Sequence, residues 1–193
     1  MSDEGGSINI YKANAGDLRY QPDEIHFADG TVWKWSETAS RKVVRGTSEN
    51  DVLSANSFAG DTVTIYGLEG DDNITGGRGD DIFVGGLGND SITSNNGGND
   101  TFVFNRGDGN DSITYYYSAH EPGDGIGKLR FGLDIRPEDV EVRNSGMDVI
   151  FAMSDGSGSM TFAKANSANI RYQLDEIHFA DGTIWKWSTM PRK

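Results

Sequence analysis

Gly76-Gly77-Arg78-Gly79-Asp80-Asp81-Ile82-Phe83-Val84 runs directly into Gly85-Gly86-Leu87-Gly88-Asn89-Asp90-Ser91-Ile92-Thr93. Both read G-G-x-G-x-D-x-U-x, with U an apolar residue. Outward from this pair, aspartates recur with an apolar residue two positions later: Asp51/Leu53, Asp61/Val63, Asp72/Ile74, Asp81/Phe83, Asp90/Ile92, Asp100/Phe102 and Asp111/Ile113. The steps between these aspartates are 10, 11, 9, 9, 10 and 11 residues. A unit with one obligatory apolar position is too short for an amphipathic helix, and each helical glycine costs about 1 kcal/mol. It suits a six-residue turn, whose glycines permit φ > 0, plus a short strand that sends the U side chain inward. Turn and strand in alternation wind into a flat coil of two strands per rung, about 18 residues per circuit. The expected fold class is therefore all-β, a parallel β-roll (a β-solenoid) with flanking β-strand capping segments.

In such a coil, alternate turns stack on the same edge. Rungs about 4.8 Å apart leave an ion midway roughly 2.4 Å from each turn, within the ~2.3–2.6 Å range of calcium–oxygen bonds. The spacing pairs Asp72 with Asp90 and Asp90 with Asp111 on one edge, and Asp81 with Asp100 on the other. The expected ligands of several Ca2+ ions are thus Asp72, Asp81, Asp90, Asp100 and Asp111, with the turn carbonyls of Gly76, Arg78, Asp80, Gly85, Leu87 and Asn89; Asp51 and Asp61 are outer candidates. Magnesium demands shorter bonds and a tighter octahedron, so calcium is preferred. Residues 46–114 carry twelve acids against two bases, Arg78 and Arg106, and so hold ten of the chain's thirteen net negative charges. An acidic disordered tract has a similar composition, but it would not place an apolar residue after every one of the seven aspartates. Without metal, carboxylates stacked ~5 Å apart repel, so this segment is expected to be disordered when calcium is absent.

The nonapeptides resemble the RTX, or haemolysin-type calcium-binding, repeat. Phe104-Asn105-Arg106-Gly107-Asp108-Gly109-Asn110-Asp111-Ser112-Ile113, Leu129-Arg130-Phe131-Gly132, Ile135-Arg136-Pro137-Glu138-Asp139-Val140 and Phe179-Ala180-Asp181-Gly182-Thr183-Ile184-Trp185 resemble the haemolysin-type calcium-binding-related region that follows such repeats. The resemblance implies a parallel β-roll, calcium-triggered folding and export by a bacterial type I secretion system. The chain departs from the pattern at Glu49, Ala59 and Leu68, and by short insertions before the repeats that end at Asp61, Asp100 and Asp111. The family's usual C-terminal secretion signal is not recognisable in Met190-Pro191-Arg192-Lys193.

A second repeat has a much longer period. Residues 7–36 recur at 159–188 with 20 of 30 positions identical, including Glu24-Ile25-His26-Phe27-Ala28-Asp29-Gly30 against Glu176-Ile177-His178-Phe179-Ala180-Asp181-Gly182. Tandem modules of a longer parent are expected, with Met1 added as a start. Residues 1–40 read as the tail of a preceding module that caps the N-terminal end, 41–114 as the roll, and 115–193 as a β-rich flanking and capping region. That last region is expected to form strands at Lys128–Phe131, Val140–Arg143, Val149–Ala152, Met160–Phe162, Glu176–Phe179 and Thr183–Trp187, with one helical turn at Pro137-Glu138-Asp139. Trp33/Trp35 and Trp185/Trp187 are i, i+2 pairs that share a strand face, expected to anchor the caps and weak candidates for stacking on sugars.

The 193 residues contain no cysteine, so calcium is expected to supply the staple that disulfides give other small secreted domains. No cleavable signal peptide or membrane-spanning run is read. A net charge of −13 argues against nucleic acid and anionic membrane as partners. No Gly-x-Ser-x-Gly, His-Glu-x-x-His or carboxylate pair outside the turns points to catalysis, so no enzyme is expected. The leading expectation is a non-catalytic calcium-binding module of a large secreted bacterial protein that folds on calcium outside the cell. Its partners would be calcium and neighbouring modules, with a glycan or self-association as further options. The alternatives are a carbohydrate-binding or adhesive module, and the export and folding appendage of a secreted hydrolase.

Overall fold

The computed structural model describes residues 24–26, 32–34, 42–55, 61–95, 98–116, 127–165 and 173–192, the first two segments as backbone strands only. The chain divides into two compact units, 1–40 and 41–193. In the first, β1 (Glu24–His26) and β2 (Val32–Lys34) form an antiparallel hairpin with Ile25 opposite Trp33. The side chains of Trp33 and Trp35, and the expected capping by residues 1–40, lie outside the described residues.

The second unit is built from two seven-stranded sheets, fed alternately by the chain. One sheet contains β3 (Lys42–Arg45), β5 (Val63–Glu69), β7 (Ile82–Leu87), β9 (Thr101–Phe104), β11 (Lys128–Phe131), β15 (Glu176–His178) and β16 (Ile184–Lys186) in that order. The other contains β4 (Val52–Ser54), β6 (Asn73–Thr75), β8 (Ser91–Asn95), β10 (Gly109–Tyr116), β14 (Gly158–Phe162), β13 (Asp148–Met153) and β12 (Val140–Ser145). Pairing is parallel from β3 through β15 in the first sheet and from β4 through β14 in the second. Antiparallel pairs, β15–β16 and β14–β13–β12, terminate both. The molecule is an all-β stack of two parallel sheets, as in a β-roll.

The apolar U position explains the register, because strand side chains alternate and only one per short strand must face inward. In the second sheet Leu53, Ile74, Ile92, Ile113, Phe162 and Val149 are successive cross-strand partners. In the first, Val44, Ile65, Phe83, Phe102, Leu129, Ile177 and Trp185 form the facing ladder. Between the sheets, Phe83 and Phe102 stack at 5.3 Å, and Phe102 meets Phe162 edge-on at 5.4 Å.

Two expectations need correcting. The repeat around Asp61 does not supply Val63 to the U ladder; Ile65 pairs with Phe83 instead, and Val63, also buried, stands two residues earlier. Twenty-one residues separate Asp51 from Asp72, three more than the 18 between Asp72 and Asp90, and that surplus shifts the strand. Second, the roll does not close at residue 114. Strand β10 runs through it, and β11, β14 and β15 continue the parallel stacking on β9 and β10. A 3₁₀ turn forms at Pro137–Asp139 as expected.

Leu68 has φ +88°, a conformation that the next rung gives to Gly86 (φ +109°). Side-chain-bearing residues adopt this region at a cost of about 1–2 kcal/mol. Leu68→Gly is therefore expected to stabilise the calcium-loaded fold by up to ~1 kcal/mol, since Leu68 is largely exposed and little burial is lost. Phe102→Ala should cost about 3–5 kcal/mol, whereas Val52→Ala, at a residue 84% exposed, should stay within ~0.5 kcal/mol. Denaturant unfolding in saturating calcium measures all three.

Candidate metal centre

The turns between the sheets fall on two edges, and each of Asp72, Asp81, Asp90, Asp100 and Asp111 reaches one rung back along its edge. Its Oδ1 accepts the backbone N–H of the aspartate below: Asp72 from Asp51 (2.8 Å), Asp90 from Asp72 (2.8 Å) and Asp111 from Asp90 (3.0 Å) on the first edge. On the second edge Asp100 accepts from Asp81 at 2.8 Å. Asp81 accepts at 2.9 Å from Val63, not from Asp61. The shifted strand thus puts an apolar residue beneath Asp81 and leaves Asp61, an exposed residue, off the column.

A second ladder runs beside the first in the opposite sense. The backbone N–H of Asp71 donates to Asn50 Oδ1 (2.9 Å), that of Asn89 to Asp71 Oδ1 (2.7 Å), and that of Asn110 to Asn89 Oδ1 (3.1 Å). On the other edge Asn99 donates to Asp80 at 2.8 Å. Sequence reasoning missed this ladder, although its signal is plain: the residue before each stacked aspartate is Asn or Asp, and before the displaced Asp61 it is Gly60.

The aspartates are held where water cannot solvate them. Asp72, Asp81, Asp90, Asp100 and Asp111 are each at most 2% exposed. Glycine makes this possible. A Cβ on Gly67 would lie 2.2 Å from Asp72 Oδ2, and one on Gly85 would lie 2.1 Å from Asp90 Oδ2. Gly88, at φ +138°, has the carbonyl oxygen of Gly70 2.1 Å from its would-be Cβ. Among the described residues, the only carboxylate oxygens buried without a hydrogen-bond partner are Asp72 Oδ2 and Asp90 Oδ2. Burying an uncompensated carboxylate costs several kcal/mol, so these atoms call for a cation or a proton.

The donor set fits a hard cation. It is all oxygen, with one carboxylate per turn, and no three His, Asp or Glu side chains converge among the described residues. Most of the shell must therefore come from backbone carbonyls. Of the carbonyl candidates, Leu87 also accepts the N–H of Gly70 at 2.8 Å, with Gly85 and Leu87 lying inside β7. Gly76, Arg78, Asp80 and Asn89 sit in or beside the turns. Asp108 was not among the expected ligands. It occupies the turn position that Leu87 takes one rung below, is 4% exposed, and accepts from the backbone N–H of Asn105 at 2.7 Å. The run Gly107-Asp108-Gly109 within a repeat is the sequence signal for it.

Without a cation, burial pushes the carboxyls up: Asp90 to about 6, Asp100 to about 7 and Asp111 to about 8, with Asp72, Asp81 and Asp108 raised as well. Backbone N–H donors oppose the shift and are outweighed; the charges of Asp72 and Asp108 add to the shift at Asp90. The two C-terminal tryptophans are engaged in packing. Trp185 meets Phe179 at 4.7 Å, Trp187 faces Phe151 at 6.4 Å, and the Arg192 guanidinium lies 4.8 Å from the Trp187 ring.

Residues 64–92 match the RTX calcium-binding nonapeptide repeat, and residues 148–189 match the haemolysin-type calcium binding protein related domain. No curated protein sequence matches the chain. Among solved structures, that of the extracellular lipase LipA from Serratia marcescens is similar in fold, with a TM-score of 0.50 and 23% identity. The match covers 80% of this chain and 23% of the lipase, so the chain spans less than a quarter of that protein.

The pH dependence without metal has a defined sign. The folded carboxyls bind protons more tightly than unfolded aspartate, whose pKa is ~3.9, so the metal-free fold is most stable below that value. Its stability falls as pH rises above ~3.9 and levels off only as pH passes the folded values of about 6 at Asp90, about 7 at Asp100 and about 8 at Asp111. In chelator, circular dichroism should therefore show more β-structure at pH 5 than at pH 8. With calcium the order should reverse, because protons compete for the same oxygens.

Proposed function

We propose that this chain, which carries RTX calcium-binding nonapeptide repeats and a haemolysin-type calcium-binding-related domain, is a non-catalytic calcium-dependent folding module of a larger secreted protein. The reading rests on one observation: a column of buried aspartates whose Oδ1 atoms accept the backbone N–H of the aspartate below, while Asp72 Oδ2 and Asp90 Oδ2 remain unpartnered. Bound calcium would supply the positive charge that lets these carboxylates share one edge. The chain's own residues do the rest. Asp72, Asp90 and Asp111 offer carboxylate oxygens, and the glycines at 67 and 85 let those oxygens approach the backbone. The U ladders of Ile and Phe exclude water from the carboxylates' inner side.

Several ions fit the number of stacked turns. The recurrence of residues 7–36 at 159–188, an offset of 152 residues, supports tandem modules as neighbours in the parent chain. Secretion accords with the repeats, with the extracellular character of the lipase that shares the fold, and with the roughly 10⁻⁴–10⁻³ M affinity that suffices outside cells. The packing of Trp185 on Phe179 accords better with a core-covering role than with a sugar platform. A second reading, the folding appendage of a secreted hydrolase, is favoured by the likeness to one part of a lipase; a catalytic domain would then lie elsewhere in the parent, and this chain alone would leave ester substrates intact.

Far-ultraviolet circular dichroism during a calcium titration tests the reading. Millimolar calcium should raise β-structure cooperatively from a chelated baseline at neutral pH, and equal magnesium should do little. A spectrum indifferent to chelation would refute it.

A further inference from the structure

We propose that the two edges of the roll are unequal: cations sit along the edge of Asp51, Asp72, Asp90 and Asp111, while the edge of Asp81 and Asp100 closes on the protein's own donors and takes none. The inference deepens the proposed function and rests on it. Repeat spacing alone treats the edges as equivalent, since Asp81 and Asp90 belong to adjacent perfect nonapeptides.

On the first edge, four turns stack, and Asp72 Oδ2 and Asp90 Oδ2 are left facing glycine backbone with no donor. Both residues are 2% exposed, so water does not reach them as it reaches an ordinary surface carboxylate. Asp51, at the bottom, is the half-buried exception; its Oδ2 takes the backbone N–H of Thr47 at 2.6 Å and the Thr47 hydroxyl at 2.9 Å.

On the second edge no such vacancy exists among the described residues. Asp81 Oδ2 accepts the N–H of Gly77 at 2.7 Å, and its Oδ1 accepts that of Val63. Asp100 Oδ2 accepts from the hydroxyl of Ser94, a fully buried residue, and its Oδ1 accepts from Asp81. All four oxygens of this pair are therefore engaged. The column is also short. Val63 occupies the rung below Asp81, and Gly127 lies against Asp100 above, where a Cβ would be 1.9 Å from the Asp100 carbonyl oxygen. The inner wall is apolar as well, for a Cβ on Gly76 would meet the Phe83 ring at 2.4 Å. A cation entering here would have to displace a hydroxyl and a backbone N–H that already satisfy the carboxylates.

Asparagine separates the edges, because it removes charge while keeping shape. Asp100→Asn retains an acceptor for the Asp81 N–H and can donate its amide to the Ser94 hydroxyl. The full chain and its variants are dialysed against calcium, bound ions are counted by atomic emission, and the folding midpoint is read by circular dichroism. Asp100→Asn should keep the wild-type ion count and a midpoint within twofold. Asp72→Asn and Asp90→Asn should each lose bound calcium and raise the midpoint at least tenfold, yet gain β-structure in chelator, because an orphaned charge is gone. Ser94→Ala gives an independent check should Asp100→Asn not fold: it should lower the melting temperature with the ion count unchanged. Loss of an ion in Asp100→Asn or Ser94→Ala would overturn the inequality while leaving the calcium-folding reading intact. A wild-type chain that binds no calcium would overturn both.

Discussion

The hydrogen bond from one aspartate's backbone N–H to the carboxylate of the aspartate one rung above is the constraint on which the rest depends. Parallel strands this short have few ladder bonds of their own; β4 and β6 contribute three residues each. The turns must therefore be stacked by something other than strand pairing, and side chains take that part. Using a charged group for it fixes the chemistry of the edge. A carboxylate that is buried in order to accept a backbone N–H keeps a second oxygen in the same dry place. Where the protein offers that oxygen no donor, as at Asp72 and Asp90, the site needs a cation or a proton.

Much of this was legible in the sequence because period and chemistry coincide. An apolar residue two positions after each aspartate set the inward ladder, and the nine-residue step set which turns share an edge. The Asp72–Asp90–Asp111 and Asp81–Asp100 stacks lie where the spacing put them. What was not legible depended on counting across irregular steps. Around Asp61 the period lengthens, and the strand slides so that Val63 and Ile65 take the places expected of Asp61 and Val63. The Asn/Asp residue before each stacked aspartate would have exposed the slip, since Gly60 has no side chain to join that ladder. The C-terminal region was misjudged for another reason. Its strands alternate normally and end in hairpins, so nothing local shows that β11, β14 and β15 enter the stack in parallel.

Arg106 marks the junction between these regimes. It stands where the rung below has Gly85, and its guanidinium turns away from the column toward Asp134 (3.3 Å), Asp139 (3.1 Å) and Asp155. Exposed ion pairs are individually worth little, but a planar fork shared by three carboxylates from two loops, the β11–β12 connection and the β13–β14 turn, aligns the last turn with the strands that follow. One permanent cation thus tethers the aspartate-lined turns to a region that holds together by packing. Phe131, Phe151, Phe162, Phe179 and Trp185 form a contiguous aromatic network there, with neighbouring ring centroids 4.7–6.4 Å apart.

That placement of the aromatic residues gives folding a direction. Within the roll, cross-rung hydrogen bonds join residues 18–21 positions apart, so each coil touches only the coils beside it. Such a chain behaves as a one-dimensional array of nearest-neighbour couplings, in which the costly event is the first coil and each later one docks on a finished template. The aromatic network at the C-terminal end, which needs no carboxylate for its packing, is the part suited to serve as that template. Order would then spread by zippering from Phe162 and Leu129 toward Val44, one coil and one ion at a time, and a lesion at a given turn would leave everything N-terminal to it unwound.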